Sequence, residues 1–238
     1  MVTPVAVAID SPDIETAARR AAAVAPHVST VKVGLGLYLR YGPEIVTTLR
    51  GANKVSIFLD LKLHDIPAQV AGAARAVART GPSLLTVHAA GGRDMIQAAV
   101  QAAPETKIAA VTVLTSLDTA ALAEIGIKGA PQDAARRLAV LAVESGARAL
   151  VCSSHEVASL RAEVGPDITM ITPGIRPAGA ATQDQARTAT PEAALAAGAD
   201  LLVIGRPITE AADPGAAASA ITLPLRERAA GASQNRLG

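Results

Sequence analysis

Short, unbroken runs of aliphatic and β-branched residues recur along the chain: "VAVAI" (5–9), "TVKVG" (30–34), "VSIFLD" (55–60), "LLTVHA" (84–89), "KIAAVTV" (107–113), "ALVCS" (149–153), "ITMIT" (168–172) and "DLLVIG" (200–205). They do not alternate apolar with polar, as a strand with one wet face would. Continuous apolar runs of this length predict strands covered on both faces, which is the pattern of a parallel sheet. Between them lie amphipathic, Ala-rich stretches at 13–24, 66–80, 92–103, 132–145 and 155–163. Gly81, Gly146 and Gly198 precede the next run, where a helix C-terminus favours glycine. Eight β–α units in 238 residues predict a single (β/α)8 TIM barrel. The barrel is expected over residues 1–224, with 225–238 a flexible tail. An open, doubly wound sheet is the alternative, because periodicity alone does not require the sheet to close.

Composition narrows what fills that frame. Half of the residues are hydrophobic, yet the only aromatics are Phe58, Tyr38 and Tyr41, so Ala, Val, Leu and Ile must build the core. A chain this long buries roughly three quarters of its unfolded surface and needs no staple. Its single cysteine, Cys152, excludes an internal disulfide and suits a reducing, cytoplasmic setting. A net charge of +1 without basic blocks argues against nucleic acid. No apolar run approaches the roughly 18 residues of a membrane span. The N-terminus "MVTPVAVAID" shows no basic region followed by a long apolar one, so no signal peptide is expected.

In a TIM barrel the chemistry gathers where strands end. The polar residues at those ends are Asp10, Lys32, Asp60, Lys62, His88, Thr115, Ser116, Arg176 and Arg206. The stretch "SIFLDLKLHDIPAQV" (56–70) is the densest, placing Asp60, Lys62 and Asp65 in an apolar run. Strand alternation would point Asp60 and Lys62 into the same mouth. Lys32 and Asp10 arrive from neighbouring strands, and an alternating array of carboxylates and ammoniums is tolerable where unpaired charges are not. The plainer alternative is a salt-bridge network that closes the barrel top. Asp65 could instead cap the helix that Pro67 begins.

"DLLVIGRPIT" ends a strand at Gly205 and opens a short helix with Arg206 and Pro207. A helix start beside an arginine suits a phosphate group, and TIM barrels often hold one after strands seven and eight. The long polar segment 172–194 reads as a lid carrying Arg176 and Gln185. "GLGLYL" (34–39) lacks the third glycine of a dinucleotide fingerprint. The four histidines show no metal-ligand spacing, and Cys152 reads as a small core residue.

"FLDLKLHDIP" (58–67), "VTVLTS" (111–116), "TPGIRP" (172–177) and "VIGRPIT" (203–209) occur in an order and spacing that closely resembles the bacterial orotidine 5′-phosphate decarboxylase family, over residues 4–222. The resemblance implies a homodimeric TIM barrel of de novo pyrimidine synthesis that converts orotidine monophosphate to uridine monophosphate and carbon dioxide, with no metal and no cofactor. It implies that Lys62 donates a proton to the pyrimidine carbon and that Asp60 lies beside the departing carboxylate. Lys32 and Asp10 would complete the array and hold the ribose. Asp65 and Ile66 would cross the dimer interface into the partner's site. Thr115 and Ser116 would meet the pyrimidine. Gln185, Gly205 and Arg206 would hold the phosphate, with Arg176 on the closing loop. One departure stands out: the family usually reads "DIPNTV" where this chain has "DIPAQV", so Gln69 replaces a threonine that contacts ribose. Mg²⁺-dependent sugar-phosphate decarboxylases and aldolases resemble the motif too, but carry a carboxylate where this chain has Lys32, which would repel a cation. A non-catalytic barrel that binds phosphorylated sugars is the remaining reading.

Overall fold

A computed structural model describes residues 3–51, 55–177 and 188–234 of the chain. Eight strands alternate with helices. In chain order these are β1 (Thr3–Ala8), α1 (Ile14–Val24), β2 (Val28–Gly34), α2 (Leu35–Tyr41), α3 (Pro43–Arg50), β3 (Ser56–Leu63), α4 (Pro67–Ala78), β4 (Leu84–His88) and α5 (Gly92–Ala102). They continue with β5 (Lys107–Val111), α6 (Thr119–Glu124), α7 (Pro131–Glu144), β6 (Ala149–Val151), α8 (Val157–Val164), β7 (Thr169–Thr172), α9 (Pro191–Ala196), β8 (Leu201–Ile204), α10 (Arg206–Thr209) and α11 (Pro214–Gln234). Every strand pairs in parallel with its sequence neighbour, and β1 pairs with β8 through Val5–Leu202, Ala6–Val203 and Val7–Ile204. The sheet is a closed barrel, not the open doubly wound alternative.

Gly81, Gly146 and Gly198 all take positive φ (68°, 99° and 101°), the left-handed geometry that ends a helix at low cost only for glycine. The segment after β2, where no single amphipathic stretch stands out, forms two short helices because Gly42 (φ 57°) and Pro43 break it. Helix α11 runs across residue 224 to Gln234.

Two layers of packing hold the barrel. Outside, the large aliphatic cluster joins the strands to the helices. Inside, Ala6, Ala8, Ala109 and Ala149 leave the room that Phe58, the chain's one phenylalanine, fills together with Leu84, Ile171, Leu201 and Val203. A large side chain against small ones is how a barrel interior reaches solid density with so few aromatics. Above Phe58 the interior turns polar, and the site begins there.

Candidate active site

The parallel pairing of β2 with β3 runs regularly from Thr30–Ser56 to Gly34–Asp60. This register sets Lys32 beside Phe58 and lifts Asp60 one layer higher, towards the C-terminal mouth. Asp60 becomes the centre of a tight cluster. Its Oδ2 lies 3.2 Å from the Lys32 ammonium, and its Oδ1 lies 2.7 Å from the Lys62 ammonium. The hydroxyl of Thr86 on β4 donates to the same Oδ1 at 3.1 Å. Burial by itself would raise the Asp60 pKa, but the two lysines outweigh it and hold the carboxyl below the ordinary carboxylate range. Asp60 is therefore ionised at neutral pH, between two cations.

Lys62 meets Asp60 as expected, but simple strand alternation is not the whole reason. Its φ is 50°, making it the one non-glycine residue in left-handed geometry among the described residues. Strain of this kind concentrates at functional sites because the surrounding structure must hold it in place.

Asp10 follows β1 and is exposed, and its backbone carbonyl accepts from Arg20 at 2.5 Å. A β-carbon placed on Gly34 would stand 3.1 Å from Asp10 Oδ1 and 3.5 Å from Lys32 Nζ, so the two groups converge over the space that the missing side chain leaves. A cavity of about 690 Å³ opens above this cluster. Asp10, Lys32, Asp60, Lys62, Thr115, Arg176, Gly205 and Arg206 all line it, whereas the adjacent Ser116 does not. Arg176 is buried, and its backbone N–H donates to Ala189 at 2.9 Å, tying together the two stems of the segment that follows β7. Gln185 lies outside the described residues.

The structure does not bring Asp65, Ile66 and Gln69 into this cavity. Ile66, not Asp65, is the N-cap of α4, and Asp65 Oδ1 only accepts from the Ile66 N–H at 2.6 Å, so the helix-cap reading is corrected. Asp65, Ile66 and Gln69 are exposed. Asp65 and Gln69 line a second, smaller recess, and Lys62 borders both that recess and the main cavity.

Two charged residues of the mouth escaped the sequence reading. Arg20 and Glu210 line the cavity from helical segments in which a charge looks like ordinary surface. His88 is half-buried beside His64, with ring centres 5.4 Å apart. Burial, then His64 and Lys62, push its pKa below the usual imidazole value against the opposing pull of Asp60, so the ring is neutral at neutral pH. Cys152 is buried, and burial together with Glu156 pushes its thiol up to about 12, which keeps it an inert core group. Among the described residues no three His, Cys, Asp or Glu side chains gather in a way that could hold a metal ion.

A closed (β/α)8 barrel with a lysine–carboxylate cluster under a mouth lined by arginines is the architecture of a barrel enzyme acting on an anionic small molecule. Comparison with known proteins defines it further. Residues 3–221 match the family described as "Orotidine 5'-phosphate decarboxylase / HUMPS family", and the chain belongs to that family. It is 71% identical to the orotidine 5′-phosphate decarboxylase of Thermobifida fusca over 233 residues, covering 98% of this chain and 100% of that protein. It is 59% identical to the protein of the same name from Frankia casuarinae, covering 93% of this chain and 87% of the relative. The crystal structure of orotidine 5′-phosphate decarboxylase from Lactobacillus acidophilus superposes with a TM-score of 0.81 at 36% identity, covering 92% of this chain and 97% of that one.

Proposed function

We propose that this protein decarboxylates orotidine 5′-monophosphate to uridine 5′-monophosphate and carbon dioxide, without a metal or an organic cofactor, as a step of pyrimidine synthesis in the cytoplasm. The observation that carries the reading is the Lys32–Asp60–Lys62 cluster at the cavity floor. In the reaction the bond between the pyrimidine ring and its carboxylate breaks, and the electron pair stays on the ring carbon. That carbanion has no π system to spread into. A fixed ammonium is the group that can stabilise it and then supply the proton that fills the vacated position. Lys62 has this role, and it regains its proton from solvent after carbon dioxide leaves. Asp60, held ionised, lies beside the substrate carboxylate, and Lys32 keeps Asp60 compensated when Lys62 has given up its proton. Lys32 at the second strand puts a cation where a metal-dependent relative needs a carboxylate.

Arg206 and Gly205 receive the phosphate with Gln185, Arg176 closes over it, Thr115 meets the base with Ser116 adjacent to it, and Asp10 meets the ribose. Phosphate binding far from the reacting carbon supplies the energy that assembles the site. The active unit is a homodimer in which Asp65, Ile66 and Gln69 serve the partner's site. Their exposure beside Lys62 and outside the chain's own main cavity supports this. The longer Gln69 takes the ribose contact that a threonine makes in most relatives. The test is to mix purified protein with orotidine monophosphate in excess EDTA and follow the pyrimidine absorbance. Turnover unaffected by the chelator is expected. Activity that disappears and returns with Mg²⁺, or no activity at all, overturns the reading.

A further inference from the structure

The β3–β4 ladder contains an irregularity that the proposed chemistry does not explain by itself. Leu59 pairs with Leu85, but the next pair is Leu63 with Val87. Four steps along β3 match two along β4, so two residues of β3 have no opposite number. Such a bulge removes ladder hydrogen bonds and re-aims a side chain. It falls at Lys62, whose φ is 50°. Directly across it stands Thr86, fully buried and outside the lining of the cavity. The Thr86 hydroxyl accepts the backbone N–H of Lys62 at 2.8 Å and donates to Asp60 Oδ1 at 3.1 Å. Asp60 Oδ1 in turn accepts from the Lys62 ammonium at 2.7 Å. The three residues therefore close a ring: main chain of Lys62, hydroxyl of Thr86, carboxylate of Asp60, ammonium of Lys62.

We propose that Thr86 is a positioning residue for the decarboxylation reaction, a role that rests on the function proposed above. Its hydroxyl replaces the missing ladder partner, holds Lys62 in its left-handed geometry and fixes the carboxylate that the Lys62 ammonium leans on. Only a group that accepts and donates at once can do both. Serine satisfies this requirement and valine, nearly identical in shape, does not. Without the hydroxyl, a partly buried N–H and a partly buried carboxylate oxygen each lose a partner, and the bulge can relax towards ordinary strand geometry. Because Thr86 touches no ligand space, its loss acts on the reacting geometry and not on binding.

The experiment compares wild type, Thr86→Val and Thr86→Ser for orotidine monophosphate turnover, for uridine monophosphate affinity and for hydrogen exchange at the Lys62 amide. In Thr86→Val, kcat should fall roughly 10- to 100-fold, with KM and product affinity within about threefold of wild type. Exchange at the Lys62 amide should speed up by about tenfold or more as its partner is lost. Thr86→Ser should restore both to within about threefold. If Thr86→Val does not fold, Thr86→Ala is read by the same criteria. Wild-type turnover in the valine or alanine variant overturns the proposal. So does a serine variant as impaired as valine, which would mean that the methyl group matters, or a parallel loss of kcat and product affinity. If the wild type itself does not turn over orotidine monophosphate, the proposed function fails. The exchange measurement then still decides whether Thr86 holds Lys62.

Discussion

The two ends of the barrel use similar residues for opposite ends. At the bottom, Arg161 on α8 donates to the carbonyls of Gly165, Pro166, Ile168 and Gly198 and pairs with Asp200, whose Oδ2 also accepts the Met170 N–H at 2.7 Å. Arg226 on α11 reaches the Thr3 hydroxyl and the carbonyls of Pro26 and His27 in the same way. These charges terminate on the backbone that enters the strands, so they act as ties. At the mouth, Lys32 and Lys62 converge on one carboxylate beside an open cavity. The difference separates two uses of a buried or half-buried charge. Where it satisfies backbone groups, its loss should weaken the fold. Where it faces empty space, its loss should weaken the chemistry.

Lys62→Ala is the strongest test of the mouth. Turnover should fall by roughly 10³-fold or more, while far-ultraviolet circular dichroism and product-nucleotide affinity stay near wild type. Near-normal turnover would dissolve the distinction between the two ends. The same variant tests the proposed homodimer with its shared sites. Mixed with Asp65→Ala under conditions of subunit exchange, it should regain about a quarter of wild-type activity, because half the dimers are mixed and each of these has one intact site. A mixture that stays inactive would confine Asp65 to its own chain.

At the bottom the expectation reverses. Arg161→Ala should cost about 2–3 kcal/mol of stability, read from chemical denaturation, because several carbonyls and Asp200 lose a shared donor. Its kcat at a temperature where it remains folded should match wild type. Gly34→Ala tests the mouth more gently. The new β-carbon would crowd Asp10 Oδ1 at 3.1 Å, and the carboxylate can yield by a few tenths of an ångström. A loss of roughly 3- to 10-fold in kcat/KM without a change in melting temperature is expected. Equal melting and activity losses would place Gly34 among the structural positions.

The smallest effect is in pH dependence. An unfolded imidazole takes up its proton near 6.5, whereas folded His88 resists it. Protonation therefore favours the unfolded chain. The contribution of His88 is complete above pH 6.5 and lost as pH falls through its lowered folded value. Melting temperature should decline as pH drops below 6.5, and His88→Asn should flatten that decline. An unchanged slope in the variant would show that the ring titrates normally. Asp60 adds a second, more acidic limb: its stabilisation is present above the ordinary carboxyl value of 3.8 and is lost only below it.

How much of this was legible in the chain follows from what kind of information each feature needs. The eight strands were, because a strand covered on both faces must be apolar along its whole length, and each run carries that requirement locally. So were Gly81, Gly146 and Gly198, whose conformation depends on their own φ. Asp60 and Lys62 stood out because charge inside an apolar run is costly unless it is used. Thr86 did not, since a threonine in a β-branched run looks like any strand residue. Arg20 and Glu210 did not, since only the fold shows which helical charges turn towards the mouth. Asp65 was visible but ambiguous, because its neighbour Pro67 begins a helix whether or not the carboxylate caps it.

The local pattern therefore determined the strands and the longer helices, the parallel character of the sheet, and the charged pair Asp60 and Lys62 of β3 with Asp65 just beyond it, each set by residues a few positions apart. Closure was decided by the accumulated tilt and stagger of eight strands, which no single run contains, and which brings Val5 opposite Leu202. The left-handed turn at Lys62 was decided the same way. It depends on a mismatch of register between β3 and β4 and on a hydroxyl 24 residues away. The chemistry of Lys62 is written in its side chain. The direction in which that side chain points is a property of the barrel, because only packed neighbours can hold a backbone in a conformation it would not choose alone.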